Sequence, residues 1–289
     1  VHIYINNRPL EDTIRLSYSK TELIKRIEKI QHPIFREVLR MFDIKIPIEI
    51  ATMADIPANT GLGTSSSFIV ALLNGLYTHF GKTISRYSLA EEACKIEIDL
   101  LKEPIGVQDQ YVATFGGIIA LDINGRKVDV KPVELSSETI SRLEENILLF
   151  FTGFRRKSGD VLKYQDRATK ENDEEVVQSL HKIKEIGIES KKALEKGDIT
   201  RFGELLNEHW KIKQRLSSHV SSPKINKLYE IGMKNGALGG KLCGGGGGGF
   251  MMFYCENDQK DQLRKSMYML GLKEMHFRFD FEGTKIIGE

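Results

Sequence analysis

The sequence predicts an α+β protein in two domains, the first rich in strands and the second in helices. Three observations carry this. Ile44, Ile46, Ile48 and Ile50 form a period-two stripe in the first half. Two short apolar runs, residues 147–152 and 250–255, stand in the second. Between those runs lie long charged stretches with apolar residues every three or four positions, the signature of solvated helices. A chain of 289 residues is long enough for two domains, and the division is expected between residues 143 and 144.

In chain order, residues 1–6 and 13–18 read as a hairpin around Asn7-Arg8-Pro9-Leu10. A helix is expected over residues 20–30, opened by the capping pattern Ser19-Lys20-Thr21-Glu22. The isoleucine stripe is a half-buried strand over residues 44–52. A small-residue loop follows at 57–67, then an apolar helix to about Phe80. Another helix spans 88–101, opened by Ser88 with Glu91 and Glu92 in its first turns. Residues 111–122 and 127–132 read as strands joined through Asn124-Gly125. In the second half, the run at 147–152 is a strand. Helices are expected at about 173–196, 201–216 and 223–235, the last with Pro223 directly behind Ser222. Phe202, Leu205, His209, Ile212 and Leu216 share one face of the middle helix, so His209 reads as a satisfied core histidine. A glycine block, a strand at 250–255, a helix at 258–270 and a strand at 274–281 close the chain.

Charge narrows the function. There are 42 basic and 40 acidic residues, a net charge of +2, which offers no electrostatic basis for binding nucleic acid or an anionic membrane. No apolar run approaches a membrane span. Cys94, Cys243 and Cys255 cannot all pair and none sits in a CxxC, so a reduced, cytoplasmic setting without structural zinc is expected. The opening Val1-His2-Ile3-Tyr4-Ile5 reads as the interior of a strand, which points to a segment upstream of it.

The chemistry concentrates in Pro57-Ala58-Asn59-Thr60-Gly61-Leu62-Gly63-Thr64-Ser65-Ser66-Ser67. A glycine- and hydroxyl-rich loop running into a helix N-terminus presents outward N–H groups and the positive end of the helix dipole to an anion. Gly61 and Gly63 remove Cβ atoms that would hold a polyphosphate away. The plainer interpretation is one Ser or Thr capping a helix. One cap accounts for one hydroxyl, not for Thr64, Ser65, Ser66 and Ser67 beside two glycines. The loop lacks the GK[ST] of a Walker A motif. The second block, Gly244–Gly249, contains GxGxxG trivially, with the strand after it instead of before. Two acids also draw notice. Glu97 lies on the 88–101 helix, and Asp109 stands uncharged-flanked between Gln108 and Gln110, where a partly desolvated carboxylate can orient or deprotonate a hydroxyl. Each alone is more often a surface acid.

Together these segments resemble the GHMP small-molecule kinases. The 57–67 loop is similar to their P-x-x-x-G-L-G-S-S-A-A motif, with Thr64 for the first Ser and Ser66-Ser67 for the alanines. Gly239-Gly240-Lys241-Leu242-Cys243 with the following glycines is similar to K-x-x-G-A-G-G-G-G, with Gly245 replacing the alanine. Gly106-Val107-Gln108-Asp109-Gln110 resembles the G-x-x-D-Q that carries a catalytic Asp in galactokinases. The family's first motif finds no match. The resemblance implies an N-terminal ribosomal-S5-like domain with a left-handed βαβ unit and a ferredoxin-like C-terminal domain with added helices. It implies that Pro57, Asn59, Gly61, Leu62, Gly63, Thr64, Ser65 and Ser66 hold ATP, that Ser65 and Glu97 hold Mg²⁺, and that Asp109 is catalytic. Gln108, Arg156, Gly245, Gly246 and Gly247 would face the second substrate. Arg155, Arg156 and Lys157 suit a substrate phosphate, although a basic loop facing water fits them equally.

Within the family, the stretches around residues 17–22, 103–117, 151–158 and 205–217 are most like the sugar-1-kinases acting on D-glycero-D-manno-heptose 7-phosphate, in the synthesis of nucleotide-activated heptose. Fucose- and galactose-type kinases are the runner-up. A sugar- and ATP-binding regulator without catalysis is the alternative of another class. The expected partners are ATP and a sugar phosphate, with a homodimer left open.

Overall fold

Leu16, Ile48 and Ile50 are fully buried on one sheet face, as their alternation with polar residues requires. The computed structural model describes residues 1–154, 159–171, 173–216 and 220–288. They form two units. The first comprises residues 1–58, 63–117 and 280–289, and the second residues 59–62 and 118–279. The division expected after residue 143 falls inside the second.

In the first unit, β1 (His2–Asn7), β2 (Ile14–Ser17), β3 (Thr21–Ile24) and β4 (Ile48–Met53) make a sheet in the order β1-β4-β2-β3. Its apolar face packs on α1 (Pro33–Met41) and α2 (Thr64–His79) through Phe35, Val38, Leu39, Ile69, Leu72 and Leu76. The expected hairpin of β1 and β2 does not form. β4 lies between them, antiparallel to β1 and parallel to β2. The reason is that β4 carries the most deeply buried stripe and takes the centre. The Arg8 N–H bonds the Pro47 carbonyl at 3.0 Å instead of closing a turn onto β2.

The helix expected over residues 20–30 is replaced by β3 and a short 3₁₀ turn, Ile27–Lys29. Glu22 is the cause. Its side chain accepts hydrogen bonds from Tyr18 Oη (2.7 Å) and from the N–H groups of Gln31 (2.7 Å) and His32 (3.3 Å), serving the approach to α1 and not a helix of its own. Burial pushes its pKa up, but the Gln31 N–H, the Tyr18 hydroxyl and the His32 N–H outweigh that and hold it below the usual 4.5. Glu22→Ala leaves three donors unpaired and is expected to cost about 2–4 kcal/mol. Because the folded-state pKa is depressed, this stability is present above the unfolded pKa and is lost as pH falls through the folded one. Thermal melts of wild type and variant should differ at pH 7 and converge in acid; a constant gap would count against the assignment.

The helix expected from Ser88 begins earlier. α3 (Arg86–Cys94) is capped by Ser85, whose hydroxyl accepts from the Ser88 N–H at 3.1 Å, and it continues as a π turn, Lys95–Leu100. Residues 111–122 are not one strand. α4 (Gln108–Phe115) ends at Gly116 (φ 72°), where a Cβ would lie 2.3 Å from the Gly283 nitrogen. Gln110, Tyr111 and Thr114 are its buried face, a helical spacing.

In the second unit, β5 (Ile119–Asn124) and β6 (Lys127–Pro132) form the expected hairpin, with Gly125 at φ 61°. α5 (Ser137–Asn146) leads to a sheet of β7 (Ile147–Phe151), β8 (Ala237–Leu242), β9 (Phe250–Cys255) and β10 (Lys273–Met275), in the antiparallel order β10-β7-β9-β8. With α10 (Lys260–Met269) before β10, this is the β-α-β-β-α-β ferredoxin-like arrangement. The first crossover is filled by α6 (Gly159–Lys170), α7 (Glu174–Glu195), α8 (Ile199–Leu216) and α9 (Pro223–Lys234), more helices than the one that arrangement needs. The last strand is shorter than expected, since pairing with β7 stops at Met275.

Glycines set α8 on β8. A Cβ on Gly239 would fall 1.9 Å from the Gly203 carbonyl oxygen, and one on Gly203 would fall 2.2 Å from the Tyr254 ring. All three cysteines are free thiols. Among the described residues no helix is long and apolar enough to cross a membrane.

Candidate active site

The 57–67 loop is bent by left-handed residues: Asn59 at φ 63°, Gly61 at φ 78° and Gly63 at φ 63°. Gly63 caps α2, and no side chain caps it. The first helical bond runs from the Ser67 N–H to the Gly63 carbonyl at 2.9 Å, which leaves the N–H groups of Thr64, Ser65 and Ser66 without helical acceptors. The Ser and Thr side chains that would cap an ordinary helix do not do so here. This favours the anion-binding interpretation over the capping one.

Two acids of the first unit stand near this helix end. Glu97, only 3% exposed, lies in the π turn, a distortion common at functional positions. Its Oε2 accepts from Ser66 Oγ at 2.8 Å and from Gln110 Nε2 at 2.7 Å. Ser66, not Ser65, is therefore the hydroxyl on Glu97; Ser65 is exposed. Asp109 sits in the first turn of α4, next to the exposed Gln108. A Cβ on Gly63 would lie 3.4 Å from its Oδ2, so the glycine clears space beside the carboxylate. Solvent reaches Asp109, yet crowding by protein, and secondarily the charge of Glu97, raises its pKa above the usual 3.8. Gln110 is the residue that sequence reasoning missed. It is fully buried, its Oε1 has no partner among the described residues, and its adjacency to Asp109 was the available signal.

The second unit holds the other glycine block together with residues 59–62. A Cβ on Gly61 would meet the Cys243 carbonyl oxygen at 2.6 Å, and one on Gly244 would meet Gly61 Cα at 2.6 Å. Gly249 meets the Thr60 carbonyl oxygen at 2.0 Å in the same sense. The Gly247 N–H bonds the Val220 carbonyl at 3.0 Å, and a Cβ on Gly246 would lie 2.8 Å from that oxygen. These glycines are the only residue type that lets backbones approach this closely, so the block is a packed loop. Gly245 is half-buried within it. Arg156, with Arg155 and Lys157, lies outside the described residues. His209 is half-buried, and its Nδ1 lacks a partner among the described residues, so it is not the satisfied core histidine expected.

The donor set fits a magnesium-bound nucleotide. Glu97 is a buried carboxylate whose hydrogen-bond partners are neutral, and its charge acts on Asp109. Among the described residues neither acid forms an ion pair, which leaves both available to a cation. Together with free N–H groups at a helix start, these features define an enzyme that handles a polyphosphate.

Comparison with known proteins makes this specific. Residues 19–117 match the family model of the GHMP kinases N terminal domain, and residues 190–268 that of the GHMP kinases C terminal. The chain is 31% identical over 254 residues to D-glycero-alpha-D-manno-heptose 7-phosphate kinase of Campylobacter jejuni, covering 87% of this chain and 73% of that protein. It is 29% identical over 237 residues to the bifunctional fucokinase/GDP-fucose pyrophosphorylase of Arabidopsis thaliana, covering 81% of this chain and 22% of that one. A crystal structure of a D-glycero-D-manno-heptose 1-phosphate kinase from Bacteroides thetaiotaomicron superposes with a TM-score of 0.77 at 25% identity, over 99% of this chain and 87% of that one. The chain belongs to the GHMP kinase family and is an ATP-dependent kinase.

Proposed function

We propose that the chain transfers the γ-phosphoryl group of ATP to the anomeric C1 hydroxyl of D-glycero-D-manno-heptose 7-phosphate. The observation that carries the chemistry is the pair of acids Glu97 and Asp109, which form no ion pair among the described residues and stand beside a helix start without a side-chain cap. The substrate rests on the likeness to the Campylobacter heptose 7-phosphate kinase. The N–H groups at Thr64, Ser65 and Ser66, with the loop from Pro57 to Gly63, hold the phosphates. Asp109 orients the C1 hydroxyl and takes its proton as the oxygen bonds to the γ-phosphorus; the bond from that phosphorus to the bridging oxygen breaks, and ADP leaves. Bound Mg²⁺ would neutralise charge on the phosphates. Glu97 and the hydroxyls of Ser65 and Ser66 are the groups available to hold it, and Gln110 keeps Glu97 in place.

Release of ADP from Mg-ATP, measured with heptose 7-phosphate, fucose, galactose and mevalonate, tests this. The expected result is turnover with the heptose phosphate at a kcat/KM at least about tenfold above the others, with ³¹P NMR locating the new phosphate on C1. Preference for fucose or galactose would overturn the substrate assignment and leave the kinase intact.

A further inference from the structure

Within the first unit, residues 280–284 grip the end of the helix that carries Asp109. That helix, α4, is only 8 residues long, too short to be stable by itself in water. It packs on α2 and α3. Its start, where Asp109 stands, has no side-chain cap. The hold on its other end therefore weighs heavily on its direction.

That hold is backbone against backbone. The Gly117 N–H donates to the Asp280 carbonyl at 2.6 Å. A Cβ on Gly116 would lie 2.3 Å from the Gly283 nitrogen, and one on Gly283 would lie 2.4 Å from the Thr114 carbonyl oxygen. Gly116, Gly117 and Gly283 are all left-handed, at φ 72°, 70° and 68°. The segment is shaped for this contact: Asp280 Oδ1 accepts from the N–H groups of Glu282 at 2.8 Å and Gly283 at 3.1 Å, a turn that brings Gly283 to the helix end. It is also tied to both neighbours of α4. The Glu282 carbonyl accepts from Arg86 Nη2 on α3 at 3.2 Å, and the Thr284 hydroxyl accepts from Asn74 Nδ2 on α2 at 3.2 Å. A segment that merely covered apolar surface would tolerate side chains where these glycines stand.

We propose that residues 280–284 are a positioning strap for the reaction. By fixing the end of α4 against α2 and α3, they set the place of Asp109 beside Gly63 and the start of α2. This deepens the reading of Asp109 as the base that takes the proton, and rests on it. Along the helix Asp109 lies about 9 Å from Phe115, so a tilt of roughly 6° moves it by about 1 Å, a misplacement worth about 100-fold in rate.

The test uses the full chain. Gly283→Ala drives a methyl into the Thr114 carbonyl. Asp280→Ala, at an exposed site, removes only the acceptor that shapes the turn, and Asp280→Asn keeps that oxygen. Gly81→Ala is the control, with φ 64° and nothing within 4 Å of the added Cβ. With heptose 7-phosphate as acceptor, Gly283→Ala and Asp280→Ala should lower kcat at least about tenfold while KM for ATP holds. Asp280→Asn and Gly81→Ala should stay near wild type. Hydrogen exchange read by mass spectrometry needs no turnover: the amides of residues 108–117 should exchange at least about tenfold faster in the first two variants and not in the other two. Lower melting temperatures with unchanged kcat would mean a merely structural segment and overturn the strap. So would a fall in kcat with unchanged exchange over 108–117, or equal effects in Gly81→Ala. Should Gly283→Ala fail to fold, Asp280→Ala against Asp280→Asn decides alone. Faster exchange over 108–117 in a chain that turns over none of the sugars would support the hold on α4 while removing the reaction proposed for Asp109, so the two fail separately.

Discussion

Asp109→Asn is expected to lower kcat by about 10²- to 10⁴-fold, the range for loss of a positioned general base, with little change in ATP affinity. The amide has the size of the carboxyl and cannot take the proton. The pH profile adds a second readout. Crowding by protein, and then the Glu97 charge, raises the Asp109 pKa above 3.8, so the acid limb of kcat should lie above that value. Glu97→Gln removes one of the two causes and should move the limb down. The stability effect has the opposite sign to the activity effect. A raised folded-state pKa contributes stability below the unfolded pKa, and that contribution is lost as pH rises through the folded one. At pH 7 the ionised Asp109 therefore burdens the fold, and Asp109→Asn should melt no lower than wild type. Undiminished turnover in this variant would remove Asp109 from the reaction.

Gly249→Ala should be strongly destabilising, at about 4 kcal/mol or more. Three constraints act together. The residue sits at φ 102°, a conformation that L side chains rarely adopt, and its Cβ would fall 2.0 Å from the Thr60 carbonyl oxygen and 2.6 Å from the Thr60 carbonyl carbon. The backbone cannot step aside. The Gly249 N–H is held by the Phe154 carbonyl at 2.9 Å, and its own carbonyl accepts from the Thr152 N–H at 2.9 Å and from Thr152 Oγ1 at 2.8 Å. Gly271→Ala is the control: φ is 78°, with nothing within 4 Å of the added Cβ, so only the left-handed penalty of about 1 kcal/mol remains. Calorimetric melts compare the two. Equal, small losses would show that the Thr60–Gly249 approach is not tight.

Much of the site was legible because its parts are local. The 57–67 loop, its helix and the twelve-residue interval from Glu97 to Asp109 depend on residue type and spacing along the chain. Long helices with strong caps were also readable: α7 behind Asp173 and α9 behind Ser222 begin as expected. Elements decided by distant partners were not. Residues 19–22 carry a capping-box pattern, yet β2 recruits residues 21–24 as a strand and the Glu22 carboxylate bonds nine and ten residues downstream. Residues 111–115 carry β-forming side chains, but burial of Tyr111 and Thr114 on one face makes them helical.

The amino-acid order alone pointed to the family, and it marked out the glycine- and hydroxyl-rich loop and the acids on which phosphate binding and catalysis are proposed to rest, since each is encoded in a contiguous stretch whose backbone options are few. Three-dimensional packing settled which serine meets Glu97 and why Gly61, Gly244 and Gly249 must lack side chains. Those facts join residues separated by tens to nearly two hundred positions, and only the folded core brings such residues within the few ångströms over which sterics and hydrogen bonds act.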